Sequence, residues 1–428
     1  MLNKLKSKFQ SAERKRLLSN FFSLSALQIV NNLLPLIVVP YLFTTLGADK
    51  FGLIVFAQVV VSYFGLFVNY GFNLSATKEI SIHRDNTRNI SEIYSTVTTI
   101  KVLFSIIAFA AFILIVLSID RFSEDWKLYF FTFGTIIESI LFPVWFFQGM
   151  EKMKFITVIY TISKIIVTTL IFIVIKSSDD YLIVPVLYFI GSVSSGILSI
   201  YVLLKQFQIK FILPSVNQIA YQLKDGWHLF VSNLAINMYR NTNVLILGLM
   251  TTTLYVGYYA LAEKAIKALQ SLLTPISEAL YPYIVKKSAN QSLKKSLNDL
   301  FKIAKYYSAI LITIVLLVLL FVPYIVYILG GSYISNVILD LRILNIIILF
   351  GGLNYLFGII GLISLGHKKY FMMSVLFVGF LNIVLCFLLS PILQDVGAAI
   401  SLSISEFILL LLLFRKLIVL NKKEKNTI

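Results

Sequence analysis

Four basic residues that could bind an anion lie near the middle of long apolar segments: Lys164, Arg240, Lys264 and Lys267. A lysine or arginine at the centre of a membrane costs about 3 kcal/mol on insertion scales, so each should face a protein interior or an aqueous cavity. Lys264 and Arg240 have no evident partner nearby in the sequence, which makes them the preferred ligands for an anion.

Polar residues recur on the same segments at three- and four-residue spacing, which places them on one helix face. The faces are formed by Gln28, Asn31 and Asn32; by Gln58, Ser62, Gly65 and Asn69; by Asn233, Asn237, Arg240 and Asn241; and by Glu263, Lys264, Lys267 and Gln270. Either they line a substrate path, for which we select Asn32, Gln58, Asn237 and Asn241, or they form hydrogen bonds between helices.

Acidic residues within the apolar segments are the candidates for coupling transport to an ion, and we select Glu138 and Glu263. Glu263 and Lys267 are also spaced as a favourable i,i+4 pair, so they could neutralise each other. Alternatively, Glu263 could pair with Arg240. Two further lysines, Lys101 and Lys305, lie in the cytoplasmic third of their segments, where we expect them to snorkel toward water.

The amino-acid composition indicates whether the helices that carry these residues lie in water or in a membrane. Apolar residues make up 58% of the 428 residues and charged residues 13%, with a net charge of +17. This excludes a soluble enzyme, a nucleic-acid-binding domain and a disordered protein, and it predicts an all-α polytopic membrane protein. One cysteine and three separated histidines predict no metal site, and no cofactor is expected.

Segments long enough to cross a membrane occur twelve times. These predicted spans cover residues 19–44, 51–76, 94–118, 127–149, 155–175, 181–204, 226–249, 254–283, 303–329, 336–364, 371–390 and 396–415. The predicted organisation is a basic tail, two six-helix bundles joined by a linker, and a second basic tail. Their respective ranges are 1–18, 19–204, 205–225, 226–415 and 416–428.

The basic residues predict the orientation. With the N-terminus in the cytoplasm, the cytoplasmic segments hold 26 lysines and arginines and the opposite face holds 5. Positively charged connections stay on the cytoplasmic side, so both termini are predicted to be cytoplasmic.

A shift of 205 residues superimposes spans 1–2 on spans 7–8. Gln28 then meets Asn233, Asn32 meets Asn237, and Gly52 meets Gly257. Because the shift covers six spans, the two copies have the same orientation. Such repeats occur in secondary transporters, whose substrate sites lie between the halves.

Three stretches carry a resemblance to a known family: residues 20–46, residues 69–79 (NYGFNLSATKE) and residues 226–283. Through them the chain resembles the polysaccharide repeat-unit flippases (Wzx type, O-antigen transporters) of the MATE-like superfamily. The likeness runs through at least residues 17–290, and the twelve-span plan covers the rest.

The resemblance implies two six-helix bundles around a cation-lined cavity in the bacterial inner membrane. It implies an undecaprenyl-diphosphate-linked oligosaccharide as substrate, carried from the cytoplasmic to the periplasmic leaflet by alternating access. Membrane lipids, a polysaccharide polymerase and a chain-length regulator are the implied partners. Relatives carry an aspartate where this chain has Asn69, so the coupling ion stays open.

Two other functions compete with flipping. A small-molecule exporter of the same fold should present acids to a cationic drug, whereas the residues near mid-membrane here are mostly cations. A polysaccharide polymerase would need catalytic groups on a sizeable outer loop, and the predicted outer connections are short.

Overall fold

The computed structural model describes the backbone of residues 2–289, 291 and 293–425. It describes the side chains of residues 19–20, 22–234, 237, 241–273, 291 and 293–422. Apart from short connections, the described chain is helical and contains no strand. This confirms the predicted all-α fold.

The first half of the chain forms ten helical elements. They are α1 (Leu2–Asn69), α2 (Phe72–His83), α3 (Thr87–Ser118), α4 (Asp120–Ser123), α5 (Trp126–Gly134), α6 (Ile137–Leu141), α7 (Val144–Gly149), α8 (Met153–Val174), a 3-10 turn (Ser178–Leu182) and α9 (Ile183–Gln206).

The second half of the described chain forms four long helices, two short helices and a stretch of π-helix. They are α10 (Val216–Met250), α11 (Thr253–Ala289), α12 (Leu293–Gly330), α13 (Ser335–Leu344), α14 (Ile346–Asn354), the π-helix (Tyr355–Ile363) and α15 (Lys368–Lys425).

The ends of these helices follow local chemistry. Asn86 caps α3, since its side chain accepts hydrogen bonds from the backbone N–H groups of Arg88 and Asn89. Pro143, which has no N–H to donate, stands between α6 and α7. Within α1 and α15 the helical backbone is interrupted at single residues, Gly47 (φ 78°) and Gln394 (φ 56°). A positive φ suits glycine but strains glutamine.

These single-residue breaks explain why the structure has fewer long helices than the twelve predicted spans: each of the two interrupted helices covers two spans. Eight helical stretches of the described chain are long and apolar enough to cross a membrane, and two of them contain the breaks. The more polar α10 and α11 have 35 and 37 residues. Dividing the interrupted helices and adding α10 and α11 is consistent with twelve spans, and each predicted span coincides with helical backbone.

The chain packs as two units. Unit 1 contains residues 1–38 and 57–237, and unit 2 contains residues 39–56 and 238–428. The core of unit 1 is rich in buried aromatic side chains, including Trp145, Phe146 and Phe147 of α7.

Unit 2 contains an unusually close helix contact at two glycines. A methyl group added at Gly52 would overlap the carbonyl oxygen of Thr253, and one added at Gly257 would overlap that of Ala48. The side chain of Thr253 also donates a hydrogen bond to Asp49. Gly52 and Gly257 are equivalent positions of the predicted repeat. Both copies of the repeat therefore have a glycine where the two backbones approach too closely for a larger residue.

Candidate functional site

The charged face of α11 lies in unit 2. Glu263 and Lys267 form an ion pair with an N–O distance of 3.0 Å, one helical turn apart. The Glu263 side chain is 10% exposed and that of Lys267 is 50% exposed. The structure therefore supports self-neutralisation of this pair, which was one of the alternatives predicted from the spacing.

Lys264 stands beside this pair but is not part of it. Its side chain is partly buried, and within the described part of the chain it has neither a hydrogen-bond nor an ion-pair partner. Glu263 attracts its charge and Lys267 repels it. Because Glu263 is already paired with Lys267, no described acidic side chain pairs with Lys264, and its ammonium group could bind an incoming anion.

A buried polar network, which sequence analysis missed, lies behind Glu263. The Tyr259 hydroxyl is 3.5 Å from Glu263 Oε1, and the amide of Asn243 donates to that hydroxyl at 3.3 Å. Asn382 of α15 donates to Asn243 Oδ1 at 2.6 Å. The network ties α10, α11 and α15 together, which helps to hold the charged face of α11 in place.

A second polar cluster lies in unit 1 around Glu138. Its carboxylate accepts hydrogen bonds from Ser195 at 3.0 Å and Ser192 at 3.5 Å, both on α9. Lys164 of α8 donates to the side chain of Asn31 and is close enough to Glu138 for electrostatic attraction. The predicted ligand Lys164 and the predicted coupling residue Glu138 thus belong to one cluster.

Lys101 corrects a prediction. It does not snorkel toward water: the residue is 2% exposed, and its Nζ donates to Asn69 Oδ1 and to the backbone carbonyl of Ser139, each at 2.9 Å. Lys101 therefore lies in the interior of unit 1 with neutral partners. Asn69 in turn donates to the Gly65 carbonyl at 2.9 Å.

The remaining predicted ligands are less connected. Asn237 donates to the Asn233 carbonyl of its own helix at 2.9 Å. Asn32, Gln58 and Asn241 are partly buried. The side chain of Arg240 lies outside the described residues, so its pairing with Glu263 stays a prediction.

Unit 2 contains three further acids, of which Glu406 is partly buried and Asp340 and Asp395 are buried. Glu406 accepts a hydrogen bond from Asn354 at 2.7 Å. Asp340 and Asp395, which sequence analysis did not select, are 0% and 1% exposed. Among the described residues no cluster of histidine, cysteine and acidic side chains could hold a metal ion.

The arrangement is that of a membrane transporter. Long helices carry partly buried charged and polar faces, and the described connections are too short to hold a separate catalytic domain. The fold is the MATE-like fold. A multidrug resistance MATE transporter of the MOP superfamily, solved in an inward-facing conformation, aligns with a TM-score of 0.65 and 13% identity, covering 94% of this chain and 99% of that one. Lipid II flippase MurJ aligns with a TM-score of 0.62 and 14% identity, covering 94% and 90%.

Sequence comparison then gives the family. Residues 17–288 match the family described as "Polysaccharide biosynthesis protein", and the chain belongs to it. It is 30% identical over 393 residues to the "Putative O-antigen transporter" of Escherichia coli (strain K12), covering 90% of this chain and 93% of the relative. A protein of the same name from Shigella dysenteriae is 33% identical over 258 residues, covering 60% and 64%. The predicted family is confirmed, as is the prediction of a transporter rather than an enzyme.

Proposed function

We propose that this protein flips an undecaprenyl-diphosphate-linked oligosaccharide from the cytoplasmic to the periplasmic leaflet of the bacterial inner membrane by alternating access. The relationship to the E. coli O-antigen transporter, which extends over 90% of the chain, is the observation that carries this proposal. The MATE-like fold, which the lipid II flippase shares, supports it.

The charge of the substrate suits the described residues. A diphosphate is an anion, and a partly buried lysine with no acidic partner can offer it a charge-assisted hydrogen bond. Lys264 is such a lysine. An anion beside it would offset the cost of holding the cation within the membrane-spanning part of the protein. We propose Arg240 as a second ligand from its position in the sequence.

The sugar part of the substrate would need neutral hydrogen-bonding groups. Asn32, Gln58, Asn237 and Asn241 are partly buried, so they are not committed to the hydrophobic core. Amide side chains both donate and accept, as sugar hydroxyls require. We assign these four residues to the oligosaccharide.

A small-molecule exporter of the same fold is the alternative. Cationic drugs require an available carboxylate, but the two acids of the predicted set, Glu263 and Glu138, already have partners. Glu263 pairs with Lys267, and Glu138 accepts from two serines near Lys164. The charge left unmatched at Lys264 is positive, which favours an anionic substrate.

Reconstituted vesicles containing a defined diphosphate-linked oligosaccharide would test the proposal. Wild-type protein should move the lipid between leaflets, and Lys264→Ala should slow this movement about tenfold, the value of one charge-assisted hydrogen bond of about 1.4 kcal/mol. Lys305→Ala is the matched control, because Lys305 is an exposed lysine on α12. Its flipping rate should stay within about twofold of wild type.

Two results would contradict the proposal. If the wild-type protein leaves the lipid-linked sugar in place but transports small organic cations, the exporter alternative is correct. If Lys264→Ala and Lys305→Ala flip equally well, the substrate class survives but the assignment of Lys264 is wrong.

A further inference from the structure

Two carboxyl groups of unit 2 meet in its interior. Asp340 belongs to α13, and Asp395 follows the backbone break at Gln394 in α15. Asn336, one helical turn before Asp340 on α13, contacts Asp395, which brings the two carboxyl groups close together, and both residues are almost completely buried.

The carboxyl group of Asp395 has donors beside it, which include the backbone N–H groups of Asp395 itself and of Val396. The amide of Asn336 donates to Asp395 Oδ2 at 3.2 Å. Within the part of the chain that the structure describes, no N–H or hydroxyl group donates to either oxygen of Asp340 or to Oδ1 of Asp395. Asp340 is therefore a buried polar side chain whose oxygens face only another acid.

Among the described residues, no cation forms an ion pair with either carboxyl group. This holds for the lysines, arginines and histidines in the described parts of α11, α12, α14 and α15. The titratable groups that face the pair are Tyr258 and Tyr259 of α11. A tyrosine that lost its proton would add negative charge, so neither can neutralise the pair.

Two neighbouring carboxylates in a protein interior repel strongly, and burial removes the hydration that would stabilise each charge. A single proton bound to the pair would relieve both the repulsion and the cost of the lost hydration. It forms an O–H bond on Asp340, and that hydroxyl donates to Asp395, which stays the anion held by Asn336. We propose that Asp340 and Asp395 form a site that binds one proton in the folded protein.

The position of the pair connects proton binding to a conformational change. Asp395 lies where α15 reverses direction, and the reversal is tight, because a methyl group at Gly397 would come within 2.6 Å of the Leu389 carbonyl. Release of the proton would place two negative charges in contact across α13 and α15. The packing of α13 against this reversal should therefore loosen when the proton leaves.

This proton is a candidate for the coupling ion of transport, and that part of the inference rests on the proposed function. Glu263 and Glu138, the acids selected from the sequence, already have partners. Within the described part of the chain, the only group that faces the Asp340 carboxyl is a second acid, so a proton should stabilise Asp340 more than it stabilises Glu263 or Glu138.

Infrared difference spectroscopy of purified protein tests the site without any transport assay. Wild-type protein at neutral pH should show the carbonyl band of a buried carboxylic acid, which disappears as the solution becomes alkaline. Asp340→Asn, whose amide can donate to Asp395 in place of the hydroxyl, should fold normally and lack this band. Asp179→Asn, at an exposed residue of the 3-10 turn, is the matched control and should keep it.

Thermal unfolding provides a second measurement. Wild-type protein should lose stability as pH rises from neutral to alkaline, because both carboxyls then ionise, and Asp340→Asn should lose much less. The proposal is overturned if the wild type shows no such band, if Asp340→Asn retains it, or if sodium chloride removes it at constant pH while choline chloride does not. The last result would assign a sodium site instead.

Transport assays at several proton gradients separate this inference from the proposed function. If the protein flips its substrate and Asp340→Asn removes the dependence on the gradient, both stand. If no flipping occurs but the infrared band behaves as expected, the proton site stands and the proposed function fails. If flipping responds equally to the gradient in both proteins, the pair is not the coupling site.

Discussion

Unit 1 and unit 2 each bury an ionisable group. The two groups carry opposite charges when ionised, and each is stabilised in a different way. Unit 1 buries Lys101, whose ammonium group donates to two neutral oxygens, on Asn69 and Ser139. Unit 2 buries Asp340 beside Asp395, which accepts a hydrogen bond from the side-chain amide of Asn336. A lysine can be held by neutral acceptors, whereas two acids need a shared proton.

Both groups lie next to a place where the chain leaves regular helix. Asn69 is followed by Tyr70 and Gly71, which have φ values of 44° and 80°. Asp395 follows Gln394, with a φ of 56°. Since non-glycine residues seldom adopt such angles, the surrounding contacts must stabilise them. We infer that each buried group helps to hold the neighbouring break in the backbone, Lys101 through Asn69 and Asp340 through Asp395.

Removal of the neutral partner in unit 1 should have the largest effect on stability. Asn69→Leu leaves the buried Lys101 ammonium with one acceptor, and an uncompensated buried charge costs about 3–5 kcal/mol. The free energy of unfolding in detergent, measured with a denaturant series, checks this value. Adding Lys101→Met should restore much of the loss. A double variant as unstable as Asn69→Leu alone would mean that Asn69 acts through packing.

The matching change in unit 2 should cost less at neutral pH. Asn336→Leu removes the amide donor to Asp395, a loss of about 1–3 kcal/mol, and the shared proton remains. The loss should grow as the solution becomes alkaline, because Asp395 then faces a second anion. The same denaturant series at neutral and alkaline pH measures both. A loss that is independent of pH would contradict the difference between the units.

Replacement of the acids that already have partners, Glu263 and Glu138, should reduce stability less than either of the two changes above. Glu263→Gln removes an ion pair whose lysine is half exposed, a contribution of about 0.5 kcal/mol. Glu138→Gln should also be tolerated, because an amide oxygen can still accept from Ser195. Reconstituted flipping at several proton gradients should show that both variants keep the gradient response. Loss of the response in either one would move the coupling site there.

The predicted orientation can be tested with no expected change in stability. Asp85→Cys lies in an exposed connection predicted to be cytoplasmic, and Ser178→Cys lies in an exposed turn predicted to face outward. An impermeant thiol reagent added to intact cells should label only Ser178→Cys. The native Cys386 is buried and should stay unlabelled. Labelling of both variants from one side would show that a span has been miscounted.

Much of this architecture follows from local pattern. Apolar length locates the helices, and the short connection at residues 251–252 leaves no room for a domain between α10 and α11. Four-residue spacing predicts the contact between Glu263 and Lys267, because one helical turn brings those side chains together whatever the rest of the chain does. Equivalent positions of the repeat even include the two glycines, Gly52 and Gly257, that the structure brings into contact.

The partners of the buried charged groups, in contrast, depend on packing between residues that are far apart in the sequence. The sequence places Lys101 near the end of a span, which favours snorkelling, but the side chain turns inward to Ser139, 38 residues away. In the predicted spans, Asp340 and Asp395 lie near the starts of two separate helices. Only the packing of α13 against α15 brings them together. Spacing within one helix specifies its faces. Which face meets which neighbour depends on the summed packing of many helices, so the partner and protonation of a buried charge emerge only in the tertiary structure.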